Sequence, residues 1–245
     1  MAENAAATAA IIVIGDEVLS GKVEELNARF LVRELRSLGV AVRRIEIIPD
    51  VPQVIVDSVQ SAAAGFDHVF TSGGIGPTHD DLTIPAIAAA FGVPVVRNAV
   101  LADLIRGVSP LERNLRMADI PQGAVLLRGP GSPESCWPVV AIRNVYVLPG
   151  VPSILQRKFT MIRDRFRSSP FFSRAVYSRD GEGVIADMLD TAAADFPSVA
   201  IGSYPHIEAT DHKVLITLDG RDKAAVDRAC DQIVAGLGAA VVRVE

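Results

Sequence analysis

Residues 67–83 read DHVFTSGGIGPTHDDLT, a strand-like run followed by three glycines, a proline, a histidine and two adjacent aspartates. DHVFTS (67–72) carries the β-branched and aromatic residues that suit a strand. IPAIAAAFG (84–92) follows as a helix, with Pro85 in its first turn and Gly92 at its end. A strand that passes through a glycine-rich turn into a helix is one arm of a βαβ unit, and the chain before it repeats the arrangement.

IIVIG (11–15) is a continuous apolar run ending in glycine, which predicts a strand buried on both faces. Leu26, Phe30, Leu31, Leu35 and Leu38 recur at helical spacing, and Gly39 ends that helix. VAVRRIEII (40–48) predicts the next strand, and Val54, Ile55, Val59 and Ala62 line a second helix entered through Pro52. Strand alternating with helix defines an α/β fold with a mostly parallel sheet and helices on both faces. Such sheets bind ligands beyond the carboxyl ends of their strands, where the strand order reverses. The polar turns GDE (15–17) and SGGIGPTHDD (72–81) are then expected on one rim.

Further on, LLRGPGSPESCW (126–137) reads as a loop between short strands at 124–127 and 136–142. VYVLPGVPS (145–153) reads as a strand with a Gly/Pro turn, followed by a helix from about Ile154 to Phe166. Beyond RSSPFFSR (167–174) the order is strand (175–181), helix (183–196), strand (199–205), strand (213–220), helix (223–238), strand (239–245). That βαββαβ order predicts a small α+β, ferredoxin-like unit. The expected organisation is a disordered tail over 1–10, a larger domain over 11–170 and a smaller one over 171–245.

Composition narrows the function. There are 24 Lys+Arg against 29 Asp+Glu, a net charge of -5, and no basic cluster, so no nucleic-acid partner is expected. No apolar run reaches the roughly 18 residues of a membrane span. MAENAAATAA (1–10) lacks the positive start of a signal peptide, and Cys136 and Cys230 have no metal-ligand spacing and read as buried thiols. A cytoplasmic protein without a membrane partner is the expectation.

In SGGIGPT, glycines after a strand let backbone N–H groups approach a ligand, and the next helix adds its positive end. Both favour phosphate. No GK[ST] follows, as in a P-loop, and no GxGxxG is present. Asp80 and Asp81 beside such a cradle would repel a phosphate unless a divalent cation bridged the two, although either could instead cap the helix. Asp16 and Glu17 form a second acidic pair at the end of the first strand.

IGDEVLSGKVEELN (14–27), TSGGIGPTHDDLT (71–83), Asn114 within residues 112–124, and VYVLPGVP (145–152) together resemble the molybdopterin-binding (MoaB/MogA-like) domain, most closely its CinA-type branch. IGSYPHIEATDHKVLITLDG (201–220) is similar to the matching part of eukaryotic FAD synthases. The resemblance implies a three-layer MogA-like domain and phosphate binding by Gly73, Gly74 and Gly76, with Thr78, Asn27, Asn114, Pro149 and Gly150 around the ligand. It implies catalytic roles for Asp81, Asp80 and Glu17, and a metal at Asp80, Asp81 and Asp16. The metal would be Mg²⁺, Mn²⁺ or Co²⁺, and the ligand a nucleotide or a pterin such as molybdopterin. A homo-oligomer, dimeric or trimeric, is also implied.

The chain departs from the family pattern in two places: Pro85 stands two residues after the motif threonine where Glu is frequent, and Ser153 and Ile154 follow LPGVP where Glu is frequent. Three functions remain open: a metal-dependent pyrophosphatase acting on ADP-ribose or FAD-like dinucleotides, a molybdopterin-adenylylating enzyme, or a non-catalytic ligand-binding module. His79 could ligate a metal, and Arg113 and Arg116 could meet phosphates. His206 and His212 are weaker candidates. Trp137 reads as core rather than as a stacking platform.

Overall fold

The structure, a computed structural model, describes residues 7–206 and 208–245. The chain divides into two compact units after Ser168. The first opens with β1 (Thr8–Ile14), so Thr8–Ala10 belong to a strand rather than to the expected tail; residues 1–6 of that tail lie outside the described residues. There follow α1 (Asp16–Leu19), α2 (Asn27–Ser37), β2 (Ala41–Ile48), α3 (Pro52–Gly65), β3 (His68–Ser72) and α4 (Thr83–Ala90). The GDE stretch, read as a turn, is thus the start of a one-turn helix.

The next segment holds β4 (Val95–Arg97), α5 (Ala99–Val108), a 3₁₀ stretch over Glu112–Ala118 and β5 (Asp119–Pro121). Sequence patterning assigned no elements here; the three-residue strands carry no readable period, whereas α5, with Leu101, Ala102 and Ile105 buried at helical spacing, was a missed signal. β4 and β5 pair as a hairpin-like ribbon over a small core of Leu101, Ala102, Ile105, Leu115, Ala118 and Ile120. β6 (Val125–Leu127), β7 (Val139–Ile142), β8 (Val145–Leu148) and α6 (Pro152–Ile162) complete the unit, with a final 3₁₀ turn over Arg163–Phe166.

The main sheet has the order β2-β1-β3-β8-β7-β6. β2, β1, β3 and β8 run parallel, and β7 and β6 add an antiparallel edge. β1 is an interior strand, between β2 and β3, and alternates its side chains between two cores. Ala9, Ile11 and Val13 face Leu31, Leu35 and Phe159, whereas Ala10, Ile12 and Ile14 face Ile55, Val59 and Ile87. Ile11 and Ile12 are fully buried, each contributing about 1.5–3 kcal/mol of apolar burial. On one face Phe70 stacks on Tyr146 at 5.2 Å and meets the edges of Phe159 and Phe166 at 5.7 and 5.0 Å. That cluster seats α6 through Leu155, Phe159 and Ile162. The strand order reverses between β2 and β3 on the two sides of β1, which places a crevice at the ends of β1 and β3.

The second unit contains β9 (Phe172–Ser178), α7 (Glu182–Asp195), β10 (Ala200–Pro205), β11 (Val214–Gly220), α8 (Lys223–Leu237) and β12 (Val241–Val244). Its sheet is antiparallel with the order β10-β11-β9-β12, the ferredoxin-like arrangement that the βαββαβ order predicts. β11 alternates buried and half-buried residues, and Val214, Ile216 and Leu218 pack under both helices.

Candidate functional site

The turn after β3 is set by its glycines. Gly73 and Gly74 have φ of 105° and 63°. A Cβ at Gly73 would fall on the Ile14 carbonyl oxygen, and one at Gly74 would fall on the Thr83 hydroxyl. Ile14 ends β1, so the absent side chain lets the loops after β1 and β3 touch. Thr83, fully buried at the start of α4, donates its hydroxyl to Gly73 O at 2.9 Å, while its N–H bonds to Gly74 O at 3.0 Å. The motif threonine therefore ties the two ends of the loop together.

Asp81 closes the same loop. Its carboxylate accepts the Gly76 N–H at 2.5 Å, the Thr78 N–H at 2.8 Å and the Thr78 hydroxyl at 2.6 Å. A Cβ on Gly76 would stand 2.7 Å from an Asp81 oxygen. Arg116 reaches in from the 3₁₀ stretch and donates to Thr78 O at 2.9 Å. With those donors occupied, the Gly74 and Ile75 N–H groups are left without a protein acceptor among the described residues.

The loop after β8 lies against this one. Gly73 N donates to Leu148 O at 3.2 Å, and a Cβ on Gly150 would come within 3.4 Å of Gly73 Cα. Asn27, buried at the start of α2, donates from Nδ2 to Ser72 Oγ at 2.9 Å and to Gly150 O at 2.7 Å. It fastens the rim rather than lining the cleft.

The three loops enclose one wall of a cleft of about 870 Å³. Glu17, Gly73, Gly74, Gly76, Asp81, Pro149 and Gly150 line it, as does Pro85. Asp16, Thr78, Asp80, Asn27 and Asn114 are not on its lining. Asn114 instead donates to Ser109 Oγ at 2.8 Å within its own turn, and its neighbour Arg116 is the one that reaches the cleft. His79 is almost fully exposed, 3.9 Å from Asp80.

Sequence reading missed several lining residues. Val95 and Ile120 from the β4–β5 ribbon and Met117 from the 3₁₀ stretch supply apolar surface. Trp137, read as core, is half-buried and lines the cleft, beside Pro138 and Val140. Arg157 and Lys158 enter from α6. Lys158 Nζ donates to Pro138 O at 2.6 Å and to Trp137 O at 3.3 Å, and stands 5.9 Å from the Trp137 ring centre. Desolvation brings its pKa down to about 8. The helical signal could place Phe159 against the sheet, but not the peptide oxygens that meet its neighbour.

The acidic side of the rim holds a residue not foreseen. Asp50, beyond the end of β2, accepts the Asp16 N–H at 2.9 Å. Burial raises its pKa, the Asp16 N–H opposes this, and the charges of Glu17, Asp16 and Asp80 add to the rise. These four carboxylates thus share one field. Among the described residues, however, no three His, Cys, Asp or Glu side chains are grouped to hold a metal ion. Asp81 already accepts three hydrogen bonds. A divalent cation fits here only as Mg²⁺ commonly binds, on one or two carboxylates with phosphate and water filling the shell.

In the second unit, His212 is buried, with Nδ1 2.6 Å from an Asp211 oxygen and its ring 4.9 Å from both Tyr177 and His206. Arg243 pairs with Asp211 at 2.7 Å and covers the Tyr177 ring at 3.6 Å. These contacts brace the turn before β11. Cys230 is buried as expected; Cys136 is only half-buried, 3.6 Å from the Met161 sulfur. No helix among the described residues is long and apolar enough to cross a membrane.

The comparisons agree with this architecture unit by unit. A family model described as the probable molybdopterin binding domain matches residues 10–167, and one described as the FAD synthase middle domain matches residues 170–245. A protein of Archaeoglobus fulgidus is 32% identical over 223 residues, 91% of this chain and 94% of its own length. A probable FAD synthase of Caenorhabditis elegans is 37% identical over 241 residues, 86% of this chain and 46% of its own, so the chain spans about half of that relative. The crystal structure of CinA from Thermoplasma acidophilum, a protein of unknown function, is 27% identical with a TM-score of 0.59, covering 66% of this chain and 98% of that one. The chain belongs to the molybdopterin-binding domain family. Within that family it is of the CinA type, with MoaB/MogA-like architecture in its first unit, and its second unit is similar to the FAD synthase middle domain.

Proposed function

We propose that this protein is a metal-dependent nucleotide pyrophosphatase that cleaves ADP-ribose or FAD-like dinucleotides. The observation that carries the reading is the pair of unpartnered N–H groups at Gly74 and Ile75, held by Asp81 and Thr83 on the wall of a cleft that also offers Trp137, Arg116, Arg157 and Lys158. Preorganised N–H donors suit a phosphate oxygen that gains charge as a phosphoanhydride breaks. Apolar surface around Trp137 suits a flat ring. The relatives named for FAD synthesis and the family described for molybdopterin both handle phosphorylated heterocycles.

In the reaction, water adds to one phosphorus and the bridging P–O bond breaks, releasing AMP with ribose 5-phosphate or FMN. A divalent cation, held by one or two of the Asp16, Asp50 and Asp80 carboxylates on the acidic side of the rim, would supply positive charge to the diphosphate when bound. This chain's own part is to fix the phosphates on the Gly74–Ile75 amides, keep the ring against Trp137, and place Glu17 on the cleft wall to take the proton from water. Purified protein incubated with ADP-ribose or FAD and Mg²⁺, Mn²⁺ or Co²⁺ is expected to release AMP. Folded protein that yields none with any of the three metals overturns the hydrolase reading.

A second reading has one observation in its favour, the description of the family that covers residues 10–167. The same cleft would then hold the phosphate of molybdopterin for adenylylation. Calorimetric titration with molybdopterin and ATP separates the two: affinity for ADP-ribose without any for molybdopterin rejects it.

A further inference from the structure

Lys158 occupies the cleft wall without a counter-charge among the described residues. Its two hydrogen bonds go to the neutral peptide oxygens of Trp137 and Pro138, which uses two of the three N–H groups of an ammonium. Among the described residues no carboxylate pairs with it, and the titratable neighbours that act on it are the Cys136 thiol and the Arg157 guanidinium. The remaining charged groups on the cleft wall are occupied or turned to other tasks. Asp81 is bonded within its loop, Arg116 reaches Thr78 O, and Asp119 forms a two-pronged pair with Arg97. The Glu17 carboxylate lies over Gly15, where a Cβ would come within 2.6 Å of it. Arg157 only adds positive charge.

This inference rests on the reading of the cleft as a phosphate site. We propose that Lys158 is a ligand-positioning residue that donates its third N–H to a phosphate oxygen of the bound diphosphate, so that binding draws a proton onto the protein above neutral pH. The backbone cradle at Gly74 and Ile75 and the side-chain cation at Lys158 would be separate anchors, one fixed and one titratable.

The sign follows from the chemistry. In the free protein burial holds the amine to a pKa of about 8, so at pH 8 about half of the molecules carry the charge. An anion beside the amine favours its protonated form and returns the pKa toward its ordinary value of about 10.4. Binding at pH 8 then takes up about half a proton, binding at pH 6.5 takes up almost none, and affinity falls as pH rises above about 8.

The test uses α,β-methylene ADP-ribose, which resists cleavage between its phosphorus atoms and whose phosphates do not titrate near neutral pH. Titration calorimetry of the full chain at pH 6.5, 8 and 9.5, in buffers of different ionisation enthalpy and with and without Mg²⁺, reads affinity and proton uptake together. The native protein is expected to show the pH-dependent uptake. Lys158→Gln should bind about tenfold or more weakly at pH 7, losing one charge-assisted hydrogen bond, and should lose the uptake at pH 8. Lys158→Arg should bind without the fall in affinity between pH 8 and 9.5. Absence of uptake by the native protein at pH 8 overturns the proposal even if a variant fails to fold. Equal uptake by native protein and Lys158→Gln overturns it as well. Failure of the analogue to bind at all would overturn the phosphate reading of the cleft and Lys158's role with it.

Discussion

The two walls of the cleft solve opposite problems. The glycine wall is finished before any ligand arrives: Asp81, Thr83 and Arg116 each satisfy loop groups, and the Gly74 and Ile75 N–H groups are left without a protein acceptor among the described residues. The Trp137–Lys158 wall is unfinished, since its amine is desolvated against peptide oxygens and has no carboxylate partner among the described residues. Rigidity comes from local hydrogen bonds on the first wall, and charge waits for a partner on the second. The first is therefore expected to control whether anything binds, and the second how binding responds to pH.

Substitutions can break this contrast. Asp81→Ala removes the acceptor of three loop hydrogen bonds, so affinity for the methylene analogue should fall about 100-fold or more, read by calorimetry. Unchanged affinity would mean that the loop keeps its shape without Asp81. Gly73→Ala forces both a left-handed φ and a collision with Ile14 O, and should cost about 3 kcal/mol or more in denaturant unfolding. Gly92→Ala, with a φ of 66° and open space around it, should cost only about 1 kcal/mol. Equal costs at the two glycines would show that the close approach of the loops is not under load.

Smaller effects sharpen the comparison. The folded-state pKa of Lys158 is lowered, so between about 8 and 10.4 the unfolded chain binds more protons than the folded one, and this group's contribution to stability rises with pH. Unfolding free energy of the native protein relative to Lys158→Gln should rise across that window by roughly 2 kcal/mol. A flat difference would place the amine in water. Thr83→Val leaves Gly73 O without its hydroxyl donor and should cost about 1–2 kcal/mol, with little change in that pH response.

How much of this could be read from the residues differs along the chain. The α/β order of the first unit and the βαββαβ order of the second follow from local periodicity, because each strand or helix declares its buried face through residues close in sequence. Gly73, Gly74, Gly76, Asp81, Pro149 and Gly150 were legible as a group because they sit in compact motifs next to strand ends. Asn27 and Asn114 were legible as residues but not as tasks: one ties two loops across a sheet, and the other holds its own turn. The β4–β5 ribbon escaped notice since three residues are too few for a repeated alternation to be read.

Local pattern alone thus specified most of the strands and helices around the main sheet, and the place of the glycine loop at the end of β3, since both depend on neighbours a few residues apart. Three-dimensional packing alone decided what shares the cleft. Asp50 joins Asp16 through a bond across 34 residues, Arg116 reaches Thr78 across 38, and Lys158 meets the Trp137–Pro138 peptide oxygens from a helix about 20 residues further on. Burial and charge at those contacts depend on distances that no spacing within one segment encodes.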